Sequence, residues 1–142
     1  MEKYKVKQVI LTWSEAQGLP GIGEFPKKFV SFEEANMMLR QIAEADRVFR
    51  QETGTYLGGT LKTGFYVVWE DGTEIDKGRI DVGYCNGYFL GTDLVEHIQI
   101  RAQWVLNTEP PIKGQAPWAK KFQEEFERAK TFYQELLKGY EL

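Results

Sequence analysis

A nucleophile with its base is the first chemistry to seek in a short chain, and this one offers a single pair. Cys85 precedes His97 by twelve residues, and each is the sole residue of its kind among 142. A thiolate activated by an imidazole also needs a third group to orient the base, and donors to hold the oxyanion. Nothing around Cys85 or His97 supplies either. The pair therefore reads as a small semi-buried cysteine and a polar helix residue, and no catalytic residue is assigned. One cysteine and one histidine cannot build a structural zinc site, and HExxH and DxD patterns are missing, so no metal and no cofactor are implied. Gly18-Leu19-Pro20-Gly21-Ile22-Gly23 is rich in glycine, but no Lys-Ser/Thr follows it and Pro20 removes an amide donor. It is no phosphate-cradling loop.

Charge and aromatic content carry more. Glu70, Asp71, Glu74 and Asp76 cluster at one predicted hairpin tip, with Asp81 further along. Such a set could hold a divalent cation, or meet a basic partner as a run of phosphates does. With Lys77 and Arg79 close by, a solvated turn is the plainer reading. Lys3, Lys5 and Lys7 share one face of a predicted strand, and Lys27-Lys28 and Lys120-Lys121 are short pairs, a thin basis for a nucleic-acid groove. Aromatic residues make up 14% of the chain, more than a core of this size usually needs. Trp118, Phe132 and Tyr140 fall off the main stripe of the last predicted helix, and Tyr84, Tyr88 and Phe89 lie in a glycine-rich segment. Either group suits a docking surface. A second core face or a homodimer contact would account for them equally well.

The elements that must position these residues follow from periodicity. Residues 4–13 alternate and then turn apolar and β-branched, which predicts a strand. Gly18, Pro20, Gly21, Gly23 and Pro26 make 14–28 a loop. Ser31-Phe32-Glu33-Glu34 has the form of a capping box, with Glu34 reaching back to the Ser31 amide. Behind it Phe32, Ala35, Met38, Leu39, Ile42, Ala45 and Phe49 form one helical stripe to about Arg50. Gly54, Gly58 and Gly59 break the chain. Residues 61–70 and 73–83 then flank Asp71-Gly72, a two-residue type I′ hairpin signal. That turn would set Val68 opposite Ile75, Tyr66 opposite Lys77, Gly64 opposite Arg79, and Lys62 opposite Asp81 as a cross-strand ion pair. Phe65, Val67, Trp69 and Ile80 fall on the apolar face. Residues 84–91 read as a short strand or turn. Asp93-Leu94-Val95-Glu96 resembles a second capping box, opening a helix over 94–107 that Pro110-Pro111 stops. A last helix spans about 118–138, with Pro117 in its first turn and Gly139 as its C-cap. The fold class is α+β: a small antiparallel sheet, strand plus hairpin, covered by about three helices, in a single domain over 1–142.

Several of these segments form an ordered series. Trp13-Ser14-Glu15 closes the first strand, Lys62-Thr63 opens the hairpin, and Trp69-Glu70-Asp71-Gly72 makes its turn. Arg79-Ile80-Asp81 lies on the return strand, and Glu96-His97-Ile98 opens the next helix. The series resembles the large polyvalent protein-associated domains, family 25, over residues 6–106. Two places depart from that pattern. The family usually has an aromatic shortly before Arg79, where this chain has Ile75-Asp76-Lys77-Gly78, and the loop of residues 16–28 is individual. The resemblance implies context rather than chemistry: proteins of phages, plasmids and conjugative elements, among which anti-defence factors such as anti-CRISPR inhibitors and sponges for signalling nucleotides are common. It carries over no catalytic residue. Its polar and aromatic motif positions are Trp13, Glu15, Lys62, Arg79, Asp81 and His97. Lys62 with Asp81, or Glu15 with Arg79, could equally pin the sheet.

Net charge is −3 and the pI about 5.3, which weighs against indiscriminate nucleic-acid binding. No apolar run reaches the ~18 residues of a membrane span, and the charged first residues are not a signal peptide. A soluble protein of the host cytoplasm is expected. The leading expectation is a non-enzymatic inhibitor that presents Glu70, Asp71, Glu74 and Asp76 to a host defence effector such as a CRISPR-Cas nuclease. The alternative captures a nucleotide between Lys62, Arg79, Trp13 and His97. A nucleic-acid-binding accessory factor comes third.

Overall fold

The computed structural model describes residues 2–54, 59–109 and 114–142. Its elements run β1 (Val6–Ser14), β2 (Lys27–Phe29), α1 (Phe32–Thr53), β3 (Leu61–Trp69), β4 (Glu74–Cys85), β5 (Tyr88–Leu90), α2 (Leu94–Asn107) and α3 (Pro117–Gly139). The expected break at Gly58 and the stop at Pro110-Pro111 lie outside the described residues. The chain forms two compact units, Lys5–Leu94 and Val95–Leu142 with the N-terminal residues through Tyr4.

The first unit is a five-stranded antiparallel sheet in the order β2-β1-β3-β4-β5, with α1 on one face. The α+β class with three helices holds, and the sheet gains two short strands. β2 forms at the end of the expected loop, where Lys27, Lys28 and Phe29 pair with Leu11, Ile10 and Val9. β5 folds back on β4 through Asn86 and Gly87, both at positive φ. Neither three-residue strand is long enough to show a period, and pairing alone defines them.

α1 starts where Ser31 accepts a hydrogen bond from the Glu34 amide at 3.2 Å. The reciprocal bond differs from expectation: the Glu34 carboxylate takes the amide of Val30, not of Ser31. The helix runs past Arg50 to Thr53, and Gly54 caps it at φ 66°. Its buried face begins as the stripe predicts but rotates in the second half. Ala43 and Asp46 are buried, while Ala45 is half-buried and Phe49 is 43% exposed. The core between sheet and helix holds Val9, Leu11, Phe65, Val67, Trp69, Ile75, Ile80 and Val82 against Phe32, Ala35, Leu39 and Ile42.

The hairpin corrects the sequence in two places that cancel. The loop has three residues, Glu70-Asp71-Gly72, closed by Gly72 N to Trp69 O and Trp69 N to Thr73 O, each 2.9 Å, with Gly72 at φ 88°. This is the three-residue hairpin with a left-handed glycine rather than the type I′ pair. Pairing near the turn therefore shifts by one, to Val68–Glu74 and Val67–Ile75. A bulge at Asp76-Lys77, with Lys77 at φ 54°, then restores the expected register at Gly64–Arg79 and Lys62–Asp81. The bulge lets Ile75 and Ile80 share the buried face although they lie five positions apart, an odd offset that a regular strand of period two forbids.

Asp46 is the charged residue of this core, 3% exposed. Arg50 donates from Nε to its Oδ1 at 2.8 Å and from Nη2 to the Gly59 carbonyl at 3.1 Å, tying the end of α1 to the entry of β3. The second Asp46 oxygen, Oδ2, is buried without a partner. Asp46→Ala removes a charge-assisted bond, which is worth about 1.5–3 kcal/mol. The expected result in urea unfolding is a loss in that range. A double-mutant cycle with Arg50→Ala should assign most of it to the pair. A neutral or stabilising Asp46→Ala would instead mean that removing the unpaired oxygen outweighs the ion pair.

In the second unit, α2 buries Ile98, Ala102 and Val105, and α3 buries Ala119 and Leu136. Trp104 of α2 meets Phe126 of α3 edge-on, with ring centres 6.3 Å apart, and Arg101 stands over the Trp104 ring at 4.8 Å. Burial pushes the Tyr133 hydroxyl above its ordinary pKa, against the pull of Arg101 beside it. Tyr4 bridges Tyr140: the Tyr4 amide donates to Gly139 O, and the Glu141 amide to Tyr4 O. The C-cap of α3 is Tyr140 in extended backbone, so Gly139 is the last helical residue instead of the cap.

Candidate functional site

The hairpin end gathers all four carboxylates singled out in the sequence. Glu70, Asp71, Glu74 and Asp76 are exposed, and Trp69 and Ile75 are buried on the inner side of the same segment. Two of the four are already engaged. Asp71 accepts from the Thr73 amide and from its hydroxyl, both at 3.0 Å, and so holds the turn in shape. Glu74 accepts a bond from the Tyr66 hydroxyl, whose pKa it raises above the usual phenol value because the ionised phenolate would lose that bond and face a carboxylate. Glu70 and Asp76 stand beside them. The four are spread along the turn: among the described residues, no group of three His, Cys, Asp or Glu side chains converges as metal ligands would.

A second constellation occupies the sheet face turned away from α1. Trp13 pairs with Gly64, and Gly64 pairs with Arg79, so the three form one row across β1, β3 and β4. At two strand spacings, the Cα atoms of Trp13 and Arg79 are roughly 10 Å apart. The Trp13 indole lies on the Gly64 backbone. A Cβ added at Gly64 would sit 2.1 Å from the indole Nε1 and 2.5 Å from Thr12 Oγ1. Thr12 is the extra residue of a β1 bulge between Leu11 and Trp13. That bulge turns the tryptophan outward while leaving Ser14 on the inner face, 2.9 Å from the Thr63 hydroxyl. A glycine inside a strand is the sequence signal for such a close approach, and Gly64 was passed over as a site residue.

The ion pairs around this row differ from expectation. Lys62 and Asp81 are register partners, yet Asp81 pairs with Arg79, at 3.8 Å. Glu15 makes no pair with Arg79. Its carboxylate accepts the Lys62 amide at 2.6 Å, and its own amide donates to Lys62 O at 2.9 Å. The exposed side chains of Lys62 and Arg79 thus share one face with Trp13, itself 45% exposed. His97, the fourth member of the expected ligand set, belongs to α2 in the other compact unit.

Residues 2–109 match the large polyvalent protein associated domain 25. The chain belongs to this family. The match takes in the whole sheet, α1 and α2, and α3 lies beyond it. No curated protein and no solved structure matches the chain. Domain 25 is associated with proteins of phages and mobile elements. Its segments in this chain have readable physical roles: Trp13 covers Gly64, Trp69 anchors the hairpin turn, and Arg79 pairs with Asp81 across from Lys62.

The aromatic residues flagged in the sequence divide. Trp118 is 66% and Tyr88 73% exposed. Phe132 is half-buried beside Tyr133, Tyr140 rests on Tyr4, and Tyr84 meets Phe89 edge-on. The Arg40 guanidinium covers the Phe89 ring at 4.0 Å. No described helix is long and apolar enough to cross a membrane.

Proposed function

We propose that this chain is a non-enzymatic accessory protein of a mobile element, acting in the host cytoplasm. In this reading it docks on a host defence effector, foremost a CRISPR-Cas nuclease, and occludes a basic, nucleic-acid-handling surface. The observation behind it is the braced acidic hairpin end. Four exposed carboxylates lie within Glu70–Asp76, and the buried Trp69 and Ile75 hold the segment from below. Charges fixed in advance lose little side-chain freedom on docking. Opposed fields then speed the encounter and discriminate against other surfaces.

The test co-expresses the chain with a guided nuclease and scores survival of a targeted plasmid. The triple reversal E70K/E74K/D76K should lower protection at least about tenfold, as expected when rim charges set the association rate. It leaves Asp71 and its turn in place, and circular dichroism checks the fold. Protection equal to that of the unmodified chain would sink the reading.

The Trp13–Gly64–Arg79 row favours a second reading, capture of a nucleotide whose base stacks on the indole and whose phosphate meets Arg79 and Lys62. Native mass spectrometry of the purified protein separates the two. A co-purifying mass of a few hundred daltons, lost in Arg79→Ala and kept in the triple reversal, would put nucleotide capture first. The same spectrum reads whether a second copy of the chain is bound.

A further inference from the structure

An asparagine side chain can react with the backbone that follows it, and this chain holds three asparagines: Asn36, Asn86 and Asn107. The nitrogen of the next residue attacks the side-chain carbonyl, and a side chain on that residue obstructs the approach. Asn86 alone is followed by glycine, which has none. Asn36 lies within α1 before Met37, and its Oδ1 accepts the Leu94 amide at 2.8 Å. Asn107 ends α2 before the β-branched Thr108, and its Nδ2 donates to Gln103 Oε1 at 3.4 Å. Asn86 and Gly87 instead make the exposed two-residue turn between β4 and β5, at φ 50° and 87°, with Cys85 opposite Tyr88. Positive φ at both positions is the pattern of a type I′ turn. Beyond its two chain neighbours, nothing lies within 4 Å of a Cβ built on Gly87, so the tip is open to water.

We propose that Asn86-Gly87 is a site of self-modification that releases β5. The Gly87 nitrogen bonds to Asn86 Cγ, the Cγ–Nδ2 bond breaks, and ammonia leaves with the former amide hydrogen. Water then opens the five-membered ring. Opening at Cγ gives an ordinary aspartate. Opening at the backbone carbonyl leaves Gly87 joined through the side chain, an isoaspartate whose main chain is one methylene longer. Nothing is oxidised or reduced. Ring closure needs the Gly87 nitrogen turned toward the Asn86 side chain, a rotation about ψ that the paired turn resists. β5 is three residues long and ends the sheet, so the opening that permits this rotation is local. A two-residue turn has no slack for an added methylene, and the iso link keeps Tyr88–Leu90 from pairing again with Gly83–Cys85. Phe89 leaves with β5: its ring meets Tyr84 edge-on at 5.2 Å and lies under the Arg40 guanidinium at 4.0 Å. The aged chain thus carries one more negative charge and an uncovered aromatic edge. This stands apart from the docking reading, which uses Glu70 to Asp76 at the other hairpin.

The test ages the full chain in mildly alkaline buffer at body temperature, where loss of the Gly87 amide proton favours attack, and maps its digest by mass spectrometry. The Asn86 peptide should gain about 1 Da and split into aspartate and isoaspartate forms. Isoaspartyl methyltransferase should methylate the second form. Conversion should run at least about tenfold faster than at Asn36 or Asn107, whose bonded side chains and bulkier successors hold them away from an attack geometry. Hydrogen exchange then reads the consequence. In the isoaspartate fraction the amides of β5 should exchange faster than in the fresh chain. Asn86→Asp carries the new charge on an ordinary backbone and accepts the left-handed turn, so its β5 should stay protected. Conversion of Asn86 no faster than that of Asn36 and Asn107 would overturn the site. Unchanged β5 exchange in the isoaspartate fraction, or an equal loss of protection in Asn86→Asp, would overturn the release of β5 by the longer main chain.

Discussion

Trp69→Ala is expected to cost about 3–5 kcal/mol of folding stability, the range for truncating a large buried aromatic side chain. Trp69 is 0% exposed and ends β3, where its amide and carbonyl also close the hairpin loop. Its ring lies 6.3 Å from that of Phe32, the first residue of α1, so one side chain joins the hairpin to the start of the helix. No small movement can refill so large a void from both the sheet and helix sides at once. Against a total stability of roughly 5–15 kcal/mol, the loss would leave a marginal protein. Urea unfolding followed by circular dichroism measures it. The midpoint should fall steeply while the slope stays the same if the transition remains two-state. Trp69→Phe, which keeps a ring against Phe32, should recover a large part of the loss. If alanine and phenylalanine cost the same, the indole is not filling the core as described.

The second large effect is expected at Gly91, just past β5. Its φ is +68°, and a Cβ there would lie 2.0 Å from the Asp81 carbonyl oxygen and 3.1 Å from Val82 Cα. These obstacles are main chain of the central hairpin and cannot swing aside as a side-chain tip can. Gly91→Ala thus combines left-handed strain of about 1–3 kcal/mol with overpacking of about 1–3 kcal/mol. Gly72→Ala is the matched control. Gly72 is also left-handed, at φ +88°, but nothing lies within 4 Å of its added Cβ, so it carries the strain alone. Urea midpoints should rank the unmodified chain above Gly72→Ala, and Gly72→Ala clearly above Gly91→Ala. A tie between the two glycine variants would show that β5 can lift off Asp81 at little cost.

The hairpin illustrates how far local reading reached. Alternation in 61–70 and 73–83 located both strands, and Gly64–Arg79 and Lys62–Asp81 are register partners as expected. The turn and the Asp76-Lys77 bulge escaped, because each is an error of one residue and the two compensate. Only the need to bury both Ile75 and Ile80 selects the bulged solution. The ion pairs escaped for a related reason. Register sets which Cα atoms face each other, whereas the rotamers of Lys62, Arg79 and Asp81 choose between partners at similar range. For the candidate site, residue type and spacing singled out the acidic tip and Trp13, Lys62 and Arg79 on the exposed sheet face. They missed Gly64, whose role exists only because a bulge in another strand turns Trp13 over it.

Residue order and periodicity were enough to establish the α+β class and the long helices α1, α2 and α3, whereas the family rested on a resemblance in a series of short motifs. Capping residues, apolar stripes and strand alternation are local physics, and each is decided within a few turns of chain. Tertiary structure alone settled the short edge strands β2 and β5, the rotation of α1 that buries Asp46 and leaves Phe49 exposed, and the choice of Asp81 as partner for Arg79. Those features depend on which surfaces meet across the fold. Burial and pairing between residues far apart in sequence leave no periodic trace in either segment taken alone.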